Sequence, residues 1–438
     1  METNAPVGVD EKTDVGSVFI SNYPPYSAWS AEQIPQAQAA LAAPGEPGRQ
    51  LGLYLHIPFC RVRCKFCYFK VYTEKDSSQI RSYLSALASE VSLLAGQPAV
   101  AGRALDFVYF GGGTPSFISA RDLEQLAASI REALPWDRAQ EITFECEPGT
   151  LTEAKLRAIR KLGVTRLSLG VESFDDRILQ ENGRAHLSAE IDRALPLIRK
   201  QKFDQLNIDL IAGMVGESWE SWRTSVRRTL EADPGSVTIY QMELPFNTVY
   251  SKNLLEGSGG PEVAGWDLKR EWHNYAIDQL AAAGYEISSA YTMVKRGSRF
   301  IYRDAMFRGA DLLGTGVASF SHVNGVHYQN ASEWETYIGS LQAGKLPLAR
   351  AFATSAGHRL VRELILSLKL GRIEAAWFAG KFGVDVIAEF EPVWRRLEKR
   401  GMLRTERSGI TLTREGLLRV DLLLPEFYAP EYRNARYT

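Results

Sequence analysis

The sequence is poor in cysteine, with four in 438 residues. That scarcity excludes a disulfide-stapled fold, which needs several bridges in a short chain. No apolar run of about 18 residues occurs, so a membrane-spanning helix is not expected. An excess of one charge is missing too: 51 Lys and Arg stand against 52 Asp and Glu, a formal net charge of −1. Such a balance supplies no broad field for holding a polyanion, and nucleic acid is not expected as a partner. The first 17 residues lack the apolar core of a secretory signal, and the expected compartment is the cytoplasm. With 45% apolar and 24% charged residues the composition is that of an ordered globular chain. Its length allows two or three domains, or one large α/β barrel with appendages.

What cysteine there is lies together. Cys60, Cys64 and Cys67 fall within eight residues. Chance burial of small apolar side chains is the bland explanation. Zinc usually takes four ligands from two separated pairs, and no second CxxC or HxxxH follows. His56 is close by, but it sits in a strand-like run and reads as structural. Three thiolates on one short loop suit an iron–sulfur cluster with one iron left open. The fourth cysteine, Cys146, alternates with Glu145 across a strand and reads as a buried small apolar residue.

Strand-like runs at Leu53–Pro58, Phe107–Gly113, Glu141–Pro148, Arg166–Ser173, Gln205–Met214 and Ser236–Pro245 alternate with amphipathic stretches. Short connections between them predict parallel strands joined by right-handed crossovers. Six units fall short of a closed eightfold barrel. The expected fold is therefore α/β, a partial (β/α)6 TIM-like barrel with its chemistry at the strand C-termini. Further on, a helix over Trp266–Ala283, a strand over Glu286–Ala290 and an aromatic, glycine-rich run over Tyr302–Asn330 are expected. Helices over His358–Leu370 and Ile387–Lys399 precede Gly401–Arg404 and Gly409–Thr413, which read as a winged-helix hairpin with a packing role. The expected divisions are 1–50, an extension near the mouth of the site; 51–258, the barrel; 259–350, a barrel-completing segment; and 351–438, a small helical, winged-helix-like domain. Gly259–Pro261 reads as the loop that ends the barrel.

Every distinctive motif falls at a strand end. The run Tyr54-Leu-His-Ile-Pro-Phe-Cys60-Arg-Val-Arg-Cys64-Lys-Phe-Cys67 leads the first. Its CxxxCxxC spacing after a strand resembles the radical S-adenosylmethionine superfamily. That resemblance implies a [4Fe–4S] cluster on Cys60, Cys64 and Cys67, whose open iron chelates S-adenosylmethionine and whose electron releases a 5′-deoxyadenosyl radical. Gly111-Gly-Gly-Thr114 ends the second strand, where glycine lets the backbone approach a ligand closely. It resembles the superfamily's element for the methionine amino group, which points to Gly112, Gly113 and Thr114. Glu145-Cys-Glu-Pro148, Leu169-Gly-Val-Glu172, Asn182-Gly-Arg184 and Asn207-Ile-Asp209, together with Tyr54, are similar to the oxygen-independent coproporphyrinogen III oxidase family and its relatives. In that family the matched Glu145, Arg184 and Asp209 hold the cofactor's methionine and ribose, and Tyr54 and Glu172 are assigned to the same site. A second S-adenosylmethionine can sit beside the first. A reductant protein such as flavodoxin or ferredoxin and a small-molecule substrate are the implied partners.

Three departures bear on the reaction. Residues 1–22 hold one basic residue, Lys12. Glu172 stands where the family usually has Gln, and Glu243 adds a carboxylate at the sixth strand end. The chain reads Cys67-Tyr68-Phe69 where the oxidase resemblance predicts Cys-Gly-Cys. A pocket with added carboxylates and few nearby arginines suits a less anionic substrate than a porphyrinogen. Methyl or methylene transfer to an sp² carbon, as in methyltransferase and cyclopropane-forming relatives, is therefore the expected reaction. Oxidative decarboxylation of a porphyrinogen is the first alternative. Heme trafficking is the second, with His322 and His327 as pocket-lining histidines that keep axial ligation in view.

Overall fold

The computed structural model describes residues 12–257, 262–433 and 435. The Gly259–Pro261 loop, and the division drawn at 258/259, lie outside the described residues. Six parallel strands form the heart of the fold: β1 (Leu51–Ile57), β2 (Phe107–Gly112), β3 (Glu141–Cys146), β4 (Arg166–Glu172), β5 (Gln205–Ala212) and β6 (Ser236–Gln241). The helices Ser77–Ala95, Ala120–Ala133, Glu153–Lys161, Ser188–Gln201 and Trp219–Ala232 connect them. Side-chain caps start most of these helices. Asp76 accepts from Ser78 N and Gln79 N, and Ser119, Thr152 and Ser218 do the same for later helices.

Strand alternation sorts the residues. Leu53, Leu55, Val108, Phe110, Phe144, Leu167, Leu169 and Ile208 are buried in the main core. Their neighbours Tyr54, His56, Tyr109, Glu145, Ser168 and Asp209 line an interior cavity instead. The fold is thus the expected partial barrel, with its polar interior open to a ligand.

The sheet is wider than expected. A seventh parallel strand, after the edge hairpin β7 (Tyr285–Ile287) and β8 (Thr292–Lys295), pairs with the outer edge of β1: this is β9 (Asp311–Thr315). Glu286–Ala290 was expected as one strand, but the chain turns between Ile287 and Thr292, so that β8 runs antiparallel to β6. Beyond β9 come β10 (Phe320–Val323), β11 (Val326–Asn330) and β12 (Leu348–Ala353), all antiparallel. Residue 351 therefore belongs to the main sheet, and Ala351 exchanges both backbone hydrogen bonds with Ser30. The C-terminal unit follows, from the helix Ala356–Leu368 onward, with its own core around Leu364, Ile365, Phe378, Trp394 and Ile410. It contains the expected hairpin, β14 (Leu403–Glu406) and β15 (Gly409–Leu412), plus β13 (Arg372–Glu374) against β15. The expected helix Ile387–Lys399 is two helices, broken at Phe390, with Pro392 in the first turn of the second. No helix among the described residues is long and apolar enough to cross a membrane.

One buried carboxylate ties β9 and its hairpin to the first crossover helix. Glu90 is 1% exposed and accepts from Gly316 N at 2.8 Å, Asn330 Nδ2 at 2.6 Å and Tyr337 Oη at 2.6 Å. Glu90→Ala leaves three buried donors without their acceptor and is expected to cost about 3 kcal/mol or more of unfolding free energy. Equilibrium denaturation of both proteins checks this; a loss below about 1 kcal/mol would mean that the donors find other partners.

Candidate active site

The barrel interior, the N-terminal segment and the C-terminal unit enclose a cavity of about 1250 Å³. Register brings its floor together layer by layer. Tyr54, Tyr109, Thr143 and Arg166 are successive partners across β1 to β4. Glu145, Ser168, Asn207 and Ser236 form the next layer, and Gly170, Asp209 and Thr238 the one above. Buried polar groups at this depth need partners. Ser168 Oγ donates to Asp209 at 2.9 Å, and Asn207 Nδ2 to Asp209 at 2.8 Å. Asn207 Oδ1 in turn accepts from Ser236 and Thr238. Glu145 accepts from Tyr109 Oη at 2.6 Å and from Gly112 N at 3.1 Å. Burial, reinforced by the nearby Asp209, pushes its carboxyl up to about 7.

The cysteine loop follows β1 directly. Its return is held to the strand by Cys60 N to Tyr72 O and Tyr72 N to Pro58 O. His56 is 6% exposed, between Tyr54 Oη at 3.2 Å and Lys70 O at 3.3 Å. This is the structural role expected of it, and burial lowers its pKa to about 4. Arg61 locks the loop to the third strand end through Glu147, at 2.9 Å, and to Ala185 O. Thr114 Oγ1 donates to Cys60 Sγ at 3.3 Å, and Arg184 Nη1 to Cys64 Sγ at 3.5 Å. Burial raises the Cys60 thiol to about 11 and the Cys67 thiol to about 12.

The donor set fits an iron–sulfur cluster better than a single ion. Among the described residues no three His, Cys, Asp or Glu side chains are gathered closely enough to hold one metal ion. A cubane spreads its ligands more widely than a lone ion does, and three cysteines on one half-buried loop beside two hydrogen-bond donors meet that need. The glycines opposite leave room for it. A Cβ on Gly113 would stand 2.9 Å from Cys60 Sγ, and Gly112 has φ +117.

All the predicted site residues border this one cavity: Tyr54, Cys60, Cys64, Cys67, Gly112, Gly113, Thr114, Glu145, Glu172, Arg184 and Asp209. Tyr54 is stacked on Tyr109, with ring centroids 5.8 Å apart. Glu172 has φ +64 at a bulge in β4 and faces Arg184 at 3.5 Å, which also donates to Gly170 O. Burial raises the Glu172 carboxyl to about 7. Cys146 is 5% exposed and, as expected, is not part of the cysteine loop.

Two expectations about charge need correcting. Glu243 is not a spare carboxylate for the substrate: it accepts from Ser17 Oγ at 2.5 Å and Val18 N, and so pins the N-terminal segment against the cavity. Nor is the cavity short of arginine. Arg166, Arg270, Arg350, Arg362 and Arg419 reach it from β4, the helix Trp266–Ala282, β12 and the C-terminal unit. The sequence argument counted cations only in the first 22 residues, whereas folding supplies them from distant ones. Tyr109, Ser168, Asn207 and Thr238 were missed as well. Period-two alternation backward from Glu145 and Asp209 would have found part of this set.

Comparison with known proteins agrees with this geometry. The sequence profile of the Radical SAM superfamily matches residues 54–228. The chain is similar to the heme chaperone HemW of Escherichia coli (strain K12), 30% identical over 278 residues, which covers 62% of this chain and 70% of that protein. It is also similar to the oxygen-independent coproporphyrinogen III oxidase of Synechocystis sp. (strain ATCC 27184 / PCC 6803 / Kazusa), 26% identical over 434 residues, covering 92% and 91%. The solved structure of coproporphyrinogen III oxidase from Escherichia coli has the same fold, with a TM-score of 0.80 at 24% identity over 95% of this chain and 99% of that one.

Glu145 provides a pH test of the cradle. Above about pH 7 its carboxylate is ionised and attracts an ammonium; below, the proton removes that attraction. Affinity for S-adenosylmethionine is expected to rise several-fold between about pH 6 and about pH 8, and Glu145→Gln to flatten that rise. Anaerobic calorimetric titration of the reconstituted protein reads both, and an unchanged slope in the variant would remove Glu145 from the cradle.

Proposed function

Because the chain belongs to the radical S-adenosylmethionine superfamily, in the family of the coproporphyrinogen III oxidases and their heme chaperone relatives, we propose that it is a radical enzyme acting oxidatively on a carboxylate-bearing, unsaturated small molecule of the porphyrinogen type. The observation that carries the reading is the convergence on one cavity of the Cys60–Cys67 loop, the Gly112–Thr114 turn and the Glu145, Arg184 and Asp209 side chains. Cys60, Cys64 and Cys67 would hold a [4Fe–4S] cluster, which supplies the electron for reductive cleavage of S-adenosylmethionine.

The residues around it bind and orient. Gly112, Gly113 and Thr114 present backbone and a hydroxyl to the methionine end, with Glu145 facing its ammonium. Arg184, held by Gly170 O and Glu172, suits the cofactor's carboxylate, and Asp209 suits its ribose. Tyr54 and Tyr109 wall off one side. The N-terminal segment, pinned by Glu243, and the C-terminal residues Leu417–Leu422 close the mouth and limit water. In the oxidative reading a propionate arm becomes a vinyl group: one C–H and one C–carboxylate bond break and carbon dioxide leaves. The substrate loses two electrons in all, one with the hydrogen atom and one to an external acceptor. Methyl transfer loses its support from charge once Glu243 and the arginines are assigned as above. The oxidase aligns over 92% of the chain and a heme chaperone over 83%, each at 26% identity.

Anaerobic reconstitution with dithionite, S-adenosylmethionine and coproporphyrinogen III tests this. The expected products are 5′-deoxyadenosine and carbon dioxide. Accumulation of S-adenosylhomocysteine would return the reaction to methyl transfer, and heme binding with no cleavage would move it to the chaperone class. Replacement of any one of Cys60, Cys64 and Cys67 by Ala is expected to abolish the cluster's visible absorption and most bound iron. Full iron content in those variants would sink the reading.

A further inference from the structure

The end of the cavity farthest from the cysteine loop is built differently from the rest. Its walls come from the N-terminal segment, β10 to β12 and the helix Ala356–Leu368. Arg362 is 3% exposed; its Nε donates to Asn22 Oδ1 at 2.7 Å and its Nη1 to Met306 O at 3.4 Å. Arg350 donates to Gln329 Oε1 at 2.6 Å and to Tyr26 O at 2.8 Å. Neither arginine has a carboxylate within ion-pair distance among the described residues, whereas Arg184 faces Glu172, and Arg270 and Arg419 face Asp267. His322 lies in the same wall at 4% exposure, and neither of its ring nitrogens has a hydrogen-bond partner of ordinary geometry among the described residues. Its neighbour His327 is 4.5 Å away, centroid to centroid.

Burying the Arg362 guanidinium and half-burying that of Arg350, with no ion-pair partner for either among the described residues, is costly, and an anion is the ligand that removes the cost. The surroundings specify the rest of that ligand. Tyr26 and Phe320 lie 4.2 Å apart, and Trp29 stacks on His327 at 5.1 Å, giving this lobe flat aromatic walls. Its distance from the cysteines also matters. His322 pairs with Leu312, which pairs with Gly52 near the start of β1, while the cysteine loop follows Ile57 at its end. At ~3.3 Å per strand residue His322 lies roughly 16 Å from the end of β1, and Arg350, opposite Gln329 and so level with Phe320, lies two residues nearer to it. The carboxylates that line the cavity, Glu145, Glu147, Glu172, Asp209, Glu243 and Asp421, arise from β3 to β6, the loops at their ends and the C-terminal helices.

We propose that Arg362 and Arg350, with His322 beside them, form a carboxylate-binding subsite that anchors one acidic arm of a long, unsaturated substrate while its reacting end lies at the cysteine loop. This rests on the radical reading above and names the residues that select the substrate for this chain.

The test is an absorbance titration of the reconstituted protein with coproporphyrin III, a stable aromatic tetracarboxylate, and with its tetramethyl ester. The wild type is expected to bind the acid at least about tenfold more tightly than the ester. Arg362→Gln and Arg350→Gln should each weaken the acid about tenfold and leave the ester within about twofold, with Arg362→Lys falling between. Melting temperatures guard against misfolding, and Arg350→Gln, on a half-buried side chain, serves if Arg362→Gln is unstable. Equal binding of acid and ester by the wild type, or acid binding untouched in both Gln variants, overturns the subsite. Formation of 5′-deoxyadenosine by the wild type, measured separately, tests the radical reading. The two failures are therefore distinct.

Discussion

The pairing of β1 with β9 is the contact on which the rest of the structure depends. β1 is the strand that launches the cysteine loop, and β9 lies 254 or more residues further along the chain, in register from Leu51–Asp311 to Leu55–Thr315. The join is strongly held. Asp311, fully buried, takes Arg103 at 2.8 Å and Asn324 N at 3.1 Å, and Thr315 Oγ1 donates to Tyr54 O at 2.9 Å. Because β9 continues into β10, β11 and β12, this seam carries the second half of the chain to the cavity. Without it the barrel would have its cysteine loop and glycine turn but no far wall.

The interior shows how a polar cavity is kept stable. Asp209, Asn207, Ser168, Ser236 and Thr238 satisfy one another, so the layer is rigid. Glu145 and Glu172 are only partly compensated, and burial lifts both carboxyls towards neutrality. Arg362 and Arg350 are the opposite case at the other end. Part-compensated acids at the strand ends and arginines without ion-pair partners among the described residues at the other end orient an asymmetric occupant before any chemistry begins.

Much of the barrel was legible because each parallel strand reads as a short apolar run closed by glycine or a carboxylate. The six runs and the helices between them match the structure to within a few residues. β9 was less legible: Asp311-Leu-Leu-Gly-Thr315 has the apolar content of a strand, but nothing local shows that it pairs with β1. Likewise Ala351 looked like the start of a new unit, because its partners, Ser30 and β11, are not its neighbours in sequence. The charge argument failed for the same reason. Glu243 looked like a free carboxylate and the arginines looked remote until tertiary contacts reversed both.

The sequence by itself determined which residues meet at the cavity's upper end. Cysteine spacing, a glycine turn and carboxylates at strand ends are local patterns, and a parallel strand delivers its last residues to the same rim whatever lies elsewhere. Only the tertiary structure decided what the site can receive. The length of the cavity, its aromatic lining at Tyr26, Trp29 and Phe320 and its arginines Arg350 and Arg362 come from segments separated by hundreds of residues. Their meeting is set by strand pairing and core packing, which period and spacing along one chain do not encode.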